Sequence, residues 1–333
     1  MDMKFGALVP QGWILDLPDV SPTEQFSLIQ RVALEAERLG FDSIYFYDHF
    51  NTIPKVTSHS CFECWTTLAA LAATTSKIRL GQMVTCNLYR NPAVLAKMAS
   101  VLDVISGGRV DFGIGAGWYD QEFTAYGIPF EKASIRIAKL DEAVQLIKKM
   151  WSEPSADFQG KYYRLKGAIN SPTPIQKPHP PILIGGEGEQ LLLKVVAKLA
   201  DRCNFNGPLE NYKRKLELLQ KHCTTVGRNF GDIEKTILTD LVVRRTTQEA
   251  EDFLKQMEAN GLVFGNYQGD GRFEPISRER YKAINVVGNP DECLEKLRSY
   301  RELGVEYYIF DFPMAEQMES MKICAEQVMS KLR

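Results

Sequence analysis

The run Tyr45-Phe-Tyr-Asp48-His49-Phe50 closes a stretch of strand-forming residues with an aspartate and a histidine. An imidazole at a strand end exchanges a proton near neutral pH, and a carboxylate beside it can orient the ring. His49 and Asp48 are therefore the candidate catalytic pair. A histidine that only hydrogen-bonds within the structure is the other reading of that position.

Two glycine runs invite a cofactor. Gly113-Ile-Gly115-Ala-Gly117-Trp118 has the spacing G-x-G-x-G and falls in the fourth strand–helix unit, whereas the dinucleotide fingerprint is G-x-G-x-x-G in the first. What remains is either a tight exit from a strand or a backbone bare enough to touch a planar ring or a phosphate. Pro181-Ile-Leu-Ile-Gly185-Gly186-Glu187-Gly188 predicts a buried strand, a bare turn and a helix over 187–199. Free amides at such a turn bind phosphate, although Glu187 and Glu189 oppose an anion unless they point away. A plain connecting turn is the alternative.

Two further clusters carry less. His59-Ser-Cys61-Phe-Glu63-Cys64 offers one cysteine pair, and a structural zinc needs four ligands, so packing is the expected role and no metal site is expected. Lys132, Arg136, Lys139, Lys161, Arg164 and Lys166 make a locally basic segment, which reads as a solvated face or as a seat for an anionic cofactor tail.

The elements that must position these groups alternate along the chain. Strand-length apolar runs at 5–9, 43–47, 77–85, 109–114, 181–185, 202–206, 236–243 and 305–310 are each followed by helical periodicity. Eight such units favour a closed barrel over an open doubly wound sheet. The carboxyl ends of the strands carry Gln11 and Trp13, Asp48 and His49, Thr85 and Asn87, Gly115 and Trp118, Gly185 and Gly186, Asn204 and Asn206, Asp240, and Asp311. Nothing similar marks the amino ends. The expected architecture is a single α/β domain over residues 1–333, a (β/α)8 TIM barrel with insertions at about 116–180 and 259–285 over its carboxyl-terminal face.

With 44% hydrophobic residues the chain has apolar material for a large core, and a net charge of −2 provides no global field for nucleic acid. No window of about 18 apolar residues predicts a membrane span. The start lacks the pattern of a secretory leader and the seven cysteines form no disulfide framework, so a cytoplasmic protein is expected.

Taken in order, these motifs resemble the bacterial luciferase-like family, in particular its branch that uses coenzyme F420, a deazaflavin. The resemblance runs through Tyr45–Phe50, Ile78-Arg-Leu-Gly81-Gln-Met-Val-Thr85, Arg90-Asn-Pro92, Ser106-Gly-Gly-Arg109, Gly113–Trp118 with Ala125-Tyr-Gly-Ile-Pro-Phe130, Ser171-Pro-Thr-Pro, Pro180–Gly186 and Val287-Gly-Asn-Pro290. It implies hydride transfer between F420 and a small organic substrate, and usually a homodimer. An FMN-dependent monooxygenase is the runner-up, and a cofactor-binding barrel without turnover is the non-enzyme rival. By resemblance, Asp48 and His49 contact the deazaflavin, Thr85 meets the ring, and Gly115, Gly117 and Trp118 border it. Gly185, Gly186 and Gly188 would receive the cofactor phosphate. The family's third strand bulges behind the ring through a non-prolyl cis peptide, which the alignment places between Gln82 and Met83. One departure stands out: the glutamate that serves the family's sugar-phosphate dehydrogenase as general acid is replaced by Trp118, with Asp120 and Glu122 near but not equivalent.

Overall fold

The structure, a computed structural model, describes residues 3–259, 264–267, 273–313 and 317–333. Eight strands pair in parallel and close on themselves. They are β1 (Lys4–Leu8), β2 (Ser43–Phe46), β3 (Arg79–Gln82), β4 (Val110–Gly115), β5 (Ile182–Gly185), β6 (Arg202–Phe205), β7 (Glu234–Val243) and β8 (Val305–Asp311). β1 pairs with β2 on one side and with β8 on the other, where Gly6 faces Ile309, so no edge is left. The expected (β/α)8 barrel is the observed one.

Period-two alternation sorts the strand side chains into two cores. Phe5, Ala7, Ile44, Phe46, Phe112, Ile184 and Phe310 face the surrounding helices. Leu8, Tyr45, Leu183, Tyr307 and Ile309 fill the barrel, with Met83, Tyr47 and Leu238 against them. Near the amino ends the interior is ionic. Asp111, fully buried, pairs with Arg79 and, at 2.9 Å, with Arg202, and accepts the Tyr45 hydroxyl at 3.2 Å.

The helices begin where the sequence signals them. Ser21 and Glu24 form a capping box before Pro22–Arg38, and Asn289 and Glu292 do the same for Pro290–Glu302. Between β4 and β5 lie the helices Asp120–Ala125 and Ala133–Ser152 and the hairpin Ala156–Gln159 with Arg164–Ala168. Gly265–Tyr267 pairs antiparallel with Phe273–Pro275, and the helix Arg278–Ile284 follows. Gly261, Gly269 and Gly271 lie outside the described residues.

Two local expectations are corrected. The helix after β5 spans Leu192–Leu199 rather than 187–199, because Gly185–Gly188 run on as an open turn before it. The non-prolyl cis peptide is Met83–Val84, not Gln82–Met83. The Met83 N–H still donates to the Phe46 carbonyl at 2.8 Å, so the ladder with β2 continues through the Gln82–Met83 peptide and breaks one residue later. Thr85–Cys86 then pairs again with β4.

Candidate active site

His49 leaves the end of β2 and stands in an aromatic box. Trp13, from the loop after β1, lies flat on its ring, with centroids 4.3 Å apart and planes 3° from parallel. Trp118 and Tyr119, beyond β4, meet it edge-on at 5.5 and 6.0 Å. Its Nδ1 lies 2.8 Å from the Glu122 carboxylate. Glu122 also accepts the N–H groups of Phe50 and Asn51 at 2.7 and 2.9 Å and the Tyr89 hydroxyl at 2.6 Å. Burial opposes its charge, but the bond and the attraction from His49, the Tyr89 hydroxyl and the Asn51 amide outweigh it and hold the carboxyl below its ordinary value.

Asp48 faces the other way. Arg90 grips it with two nitrogens at 2.7 and 3.0 Å, and the Cys86 amide and Thr85 hydroxyl donate to it at 2.9 and 3.2 Å. Its oxygens are occupied by the protein, so the carboxylate that reaches His49 is Glu122 and not Asp48. Thr85 is fully buried and accepts the Trp65 indole N–H at 2.7 Å. Asp48, Thr85 and Arg90 together anchor the chain that leaves the bulge.

The barrel glycines admit the chain's own bulge. A Cβ on Gly113 would lie 1.9 Å from the Gln82 carbonyl oxygen, and Cβ atoms on Gly115 and Gly185 would lie 2.8 and 3.1 Å from the Val84 methyls. Met83 sits in the barrel interior beside them. Gly117, at φ +77°, would meet the Cys86 sulfur at 2.6 Å. At the end of β5, Gly186 has φ +141°, and a Cβ there would strike Leu192 at 2.6 Å; at Gly188 it would lie 3.2 Å from the same residue. Glu187 and Glu189 turn to Lys215 and Arg214, which answers the objection that they would repel an anion at this turn.

Opposite the glycines, β7 and β8 bring carboxyls to the same level. Asp240 and Asp311 are register partners on adjacent strands and follow the inward-facing Leu238 and Ile309 at strand spacing. The Tyr47 hydroxyl donates to Asp311 at 2.9 Å and that of Tyr281 to Asp240 at 2.6 Å. Burial pushes Asp240 up to about 6 and raises Asp311 well above the carboxylate range. Asp16, which caps the Gln11 and Gly12 amides, is also raised by burial to about 6.

The other sequence candidates have plainer surroundings. Cys61 and Cys64 are free thiols, burial pushes Cys61 up to about 12, and among the described residues no group of His, Cys, Asp and Glu is placed to hold a metal. Of the basic segment, Arg136 is buried and donates to the carbonyls of Gly117 and Glu131, and Lys139 pairs with Glu131. Lys132, Lys161, Arg164 and Lys166 are exposed. Sequence reasoning missed Tyr89, and it set Glu122 aside as near but not equivalent to the family's general acid. The signal available was a glutamate four residues after Trp118, and nothing in spacing alone links it to position 49.

A flavin-type ring has polar edges that need donors and acceptors, and the segments around the bulge and the loop after β1 carry unmatched polar atoms. Trp13 Nε1, Gln82 Nε2 and Asn87 Oδ1 are buried without a hydrogen-bond partner among the described residues. Both donor and acceptor types are present, Gln82 and Asn87 flanking the bulge in sequence and Trp13 stacked on His49 in space, so these residues fit a planar heterocycle.

Comparison with known proteins places this geometry in a family. The profile described as luciferase-like monooxygenase matches residues 3–307. A curated F420-dependent glucose-6-phosphate dehydrogenase from Kineococcus radiotolerans is 29% identical, covering 97% of this chain and 98% of its own. An FMNH(2)-dependent dimethylsulfone monooxygenase from Pseudomonas putida is 22% identical over 93% of this chain and 90% of its own. The coenzyme F420-dependent tetrahydromethanopterin reductase from Methanopyrus kandleri superimposes with a TM-score of 0.78 at 20% identity, covering all of both chains.

Proposed function

The chain belongs to the luciferase-like monooxygenase family, and from that premise we propose that it is an oxidoreductase passing a hydride between coenzyme F420 and a small organic substrate. The observation that carries this reading is the His49–Glu122 pair, walled by Trp13 and Trp118, at the same barrel mouth as the Met83–Val84 bulge. Curated relatives named as F420-dependent dehydrogenases support the cofactor. Bound F420 would supply the hydride chemistry, which the side chains cannot.

The residues that would hold it are Gln82, Met83 and Asn87 against the ring, with Gly115, Gly117 and Trp118 bordering it. The bare turn Gly185–Gly188 would take the phosphate, and the exposed Lys132, Lys161, Arg164 and Lys166 an anionic tail. His49 Nε2, which no described residue bonds, holds or releases the substrate proton. Asp48 positions rather than reacts: it fixes Arg90 and the segment after the bulge. Trp13, Trp118 and Tyr119 exclude water from the proton-transfer path.

The FMN-dependent monooxygenase reading has its own support in the dimethylsulfone monooxygenase relative. Titrating the purified protein with F420, FMN and FAD and reading fluorescence quenching decides between them. F420 is expected to bind at least about tenfold more tightly than FMN, or about 1.4 kcal/mol. Equal or reversed affinities move the protein to the FMN reading. His49→Ala should lower turnover by about 10²-fold with a much smaller loss of F420 affinity. Full turnover in that variant returns His49 to a structural role.

No helix among the described residues is long and apolar enough to cross a membrane. A cytoplasmic setting suits seven free cysteines. A homodimer is part of the same reading: Val94, Val101 and Ile105 are exposed on one side of the helix Pro92–Ile105, the kind of apolar stripe a second copy would cover.

A further inference from the structure

We propose that Glu122 is the positioning residue of the proton carrier: it fixes the neutral His49 ring with its proton on Nδ1 and leaves Nε2 as the atom that exchanges a proton with substrate. This rests on His49 being the proton carrier of the proposed reaction.

The Glu122 side chain is fully buried, in the short helix Asp120–Ala125. Its Oε1 takes the amides of Phe50 and Asn51, and its Oε2 takes the Tyr89 hydroxyl and His49 Nδ1. Backbone amides can only donate, so Oε1 carries no proton. Tyr89 is pushed up by burial first, and then by neighbours that include Glu122, so it stays a phenol and donates to Oε2. Burial alone would raise Glu122, but the His49 bond, the Tyr89 hydroxyl and the Asn51 amide hold it below its ordinary value, so the carboxyl is ionised and the bond at 2.8 Å takes an N–H from His49 Nδ1.

Two consequences follow for His49. With the proton on Nδ1, the lone pair of the neutral ring lies on Nε2, which makes Nε2 the base. When Nε2 takes a proton, the resulting imidazolium is already beside a buried anion that needs no rearrangement to stabilise it. Trp13 blocks one face of the ring and Trp118 stands at its edge, so ring rotation, the motion that would exchange the two nitrogens, is hindered. The loop at residues 50–51 hangs from the other oxygen of the same carboxylate, so one buried group sets both the position of the ring and its tautomer.

A purely structural Glu122 would hold the loop but leave the tautomer free, and the two roles separate in the histidine spectrum. The chain has four histidines, so signals of 15N-histidine-labelled protein can be assigned by their loss in His49→Asn. The wild-type protein is expected to show His49 protonated on Nδ1 at neutral and higher pH, with a strongly downfield proton. Glu122→Gln should lose that proton signal and show mixed tautomers, while Glu122→Asp restores Nδ1 protonation at least in part. Affinity for F420 should stay within about threefold in both variants. A wild-type His49 protonated on Nε2, or a Glu122→Gln spectrum unchanged from wild type, overturns the proposal. The wild-type measurement needs neither cofactor nor substrate, so it decides even if Glu122→Gln does not fold or if F420 proves to be the wrong cofactor.

Discussion

Trp13 and His49 are stacked face to face, 4.3 Å between centroids, although 36 positions separate them in the chain. Such a pair contributes about 0.5–1.5 kcal/mol beyond the area it buries. Trp13→Leu removes the flat surface and leaves the ring to the Glu122 bond and the edge contacts of Trp118 and Tyr119. Turnover should fall about tenfold, and the fluorescence change on F420 binding should shrink, since Trp13 is one of four tryptophans. Unaltered kinetics would show that His49 is oriented without Trp13.

Gly113 tests the packing of the bulge. Its missing Cβ leaves the space the Gln82 carbonyl occupies, and backbone on both sides cannot yield 1.9 Å. Gly113→Ala should therefore cost more than about 2 kcal/mol of stability or displace residues 82–84. Gly107→Ala, where a Cβ would meet nothing within 4 Å and only the φ of +68° is at issue, is the milder comparison. Thermal melts rank the two, and a Gly113→Ala protein as stable as Gly107→Ala would show that the bulge moves freely.

The carboxyls on β7 and β8 bear on substrate choice. Among the described residues neither Asp240 nor Asp311 meets a lysine, arginine or histidine, so an anion brought beside them finds acids instead of a cation. Glucose 6-phosphate should be a poor substrate here, unlike for the dehydrogenases the chain resembles. Bleaching of oxidised F420 with that sugar phosphate at millimolar concentration measures it, and rapid bleaching would refute the claim.

Asp240 also gives a stability prediction with a definite sign. Its folded value of about 6 exceeds the 3.8 of an unperturbed aspartate, so the folded state holds the proton more tightly. Its contribution to stability is fully present below about pH 4 and is lost as pH rises through about 6. Asp240→Asn lacks that loss. Relative to wild type it should gain about 1–2 kcal/mol between pH 4 and pH 7 in denaturant unfolding. A difference that stays constant with pH would contradict it.

Asp111 has the opposite sign. Burial alone would raise it, but Arg202 and Arg79 hold it below the usual carboxylate value, so its contribution is present above pH 4 and lost as pH falls through its folded value. Asp111→Ala leaves two arginines facing each other inside the barrel and should cost about 3–5 kcal/mol. A melting temperature within about two degrees of wild type would show that the interior ion cluster contributes little.

The sequence by itself determined the barrel, because alternation and helical period are local properties that each segment satisfies alone. It also determined the polar character of one barrel end, since the residues at strand ends can be read once the strands are found. Even the bulge was legible to within one peptide, Met83–Val84 in place of Gln82–Met83. Its position depends on how far β3 follows β2, and only the Met83 bond to Phe46 settles that. The partner of His49 was not legible. Asp48 is its neighbour in sequence, but adjacent residues on an extended chain point to opposite sides, so Asp48 turns to Arg90 while His49 reaches Glu122, 73 positions away. The same holds for Gly113 and Gly115, where a Cβ would strike Gln82 or Val84, a contact that the spacing G-x-G-x-G does not show. Which side chain fills a space left by glycine depends on the closure of the barrel, which brings β3 against β4, and no local pattern encodes that contact.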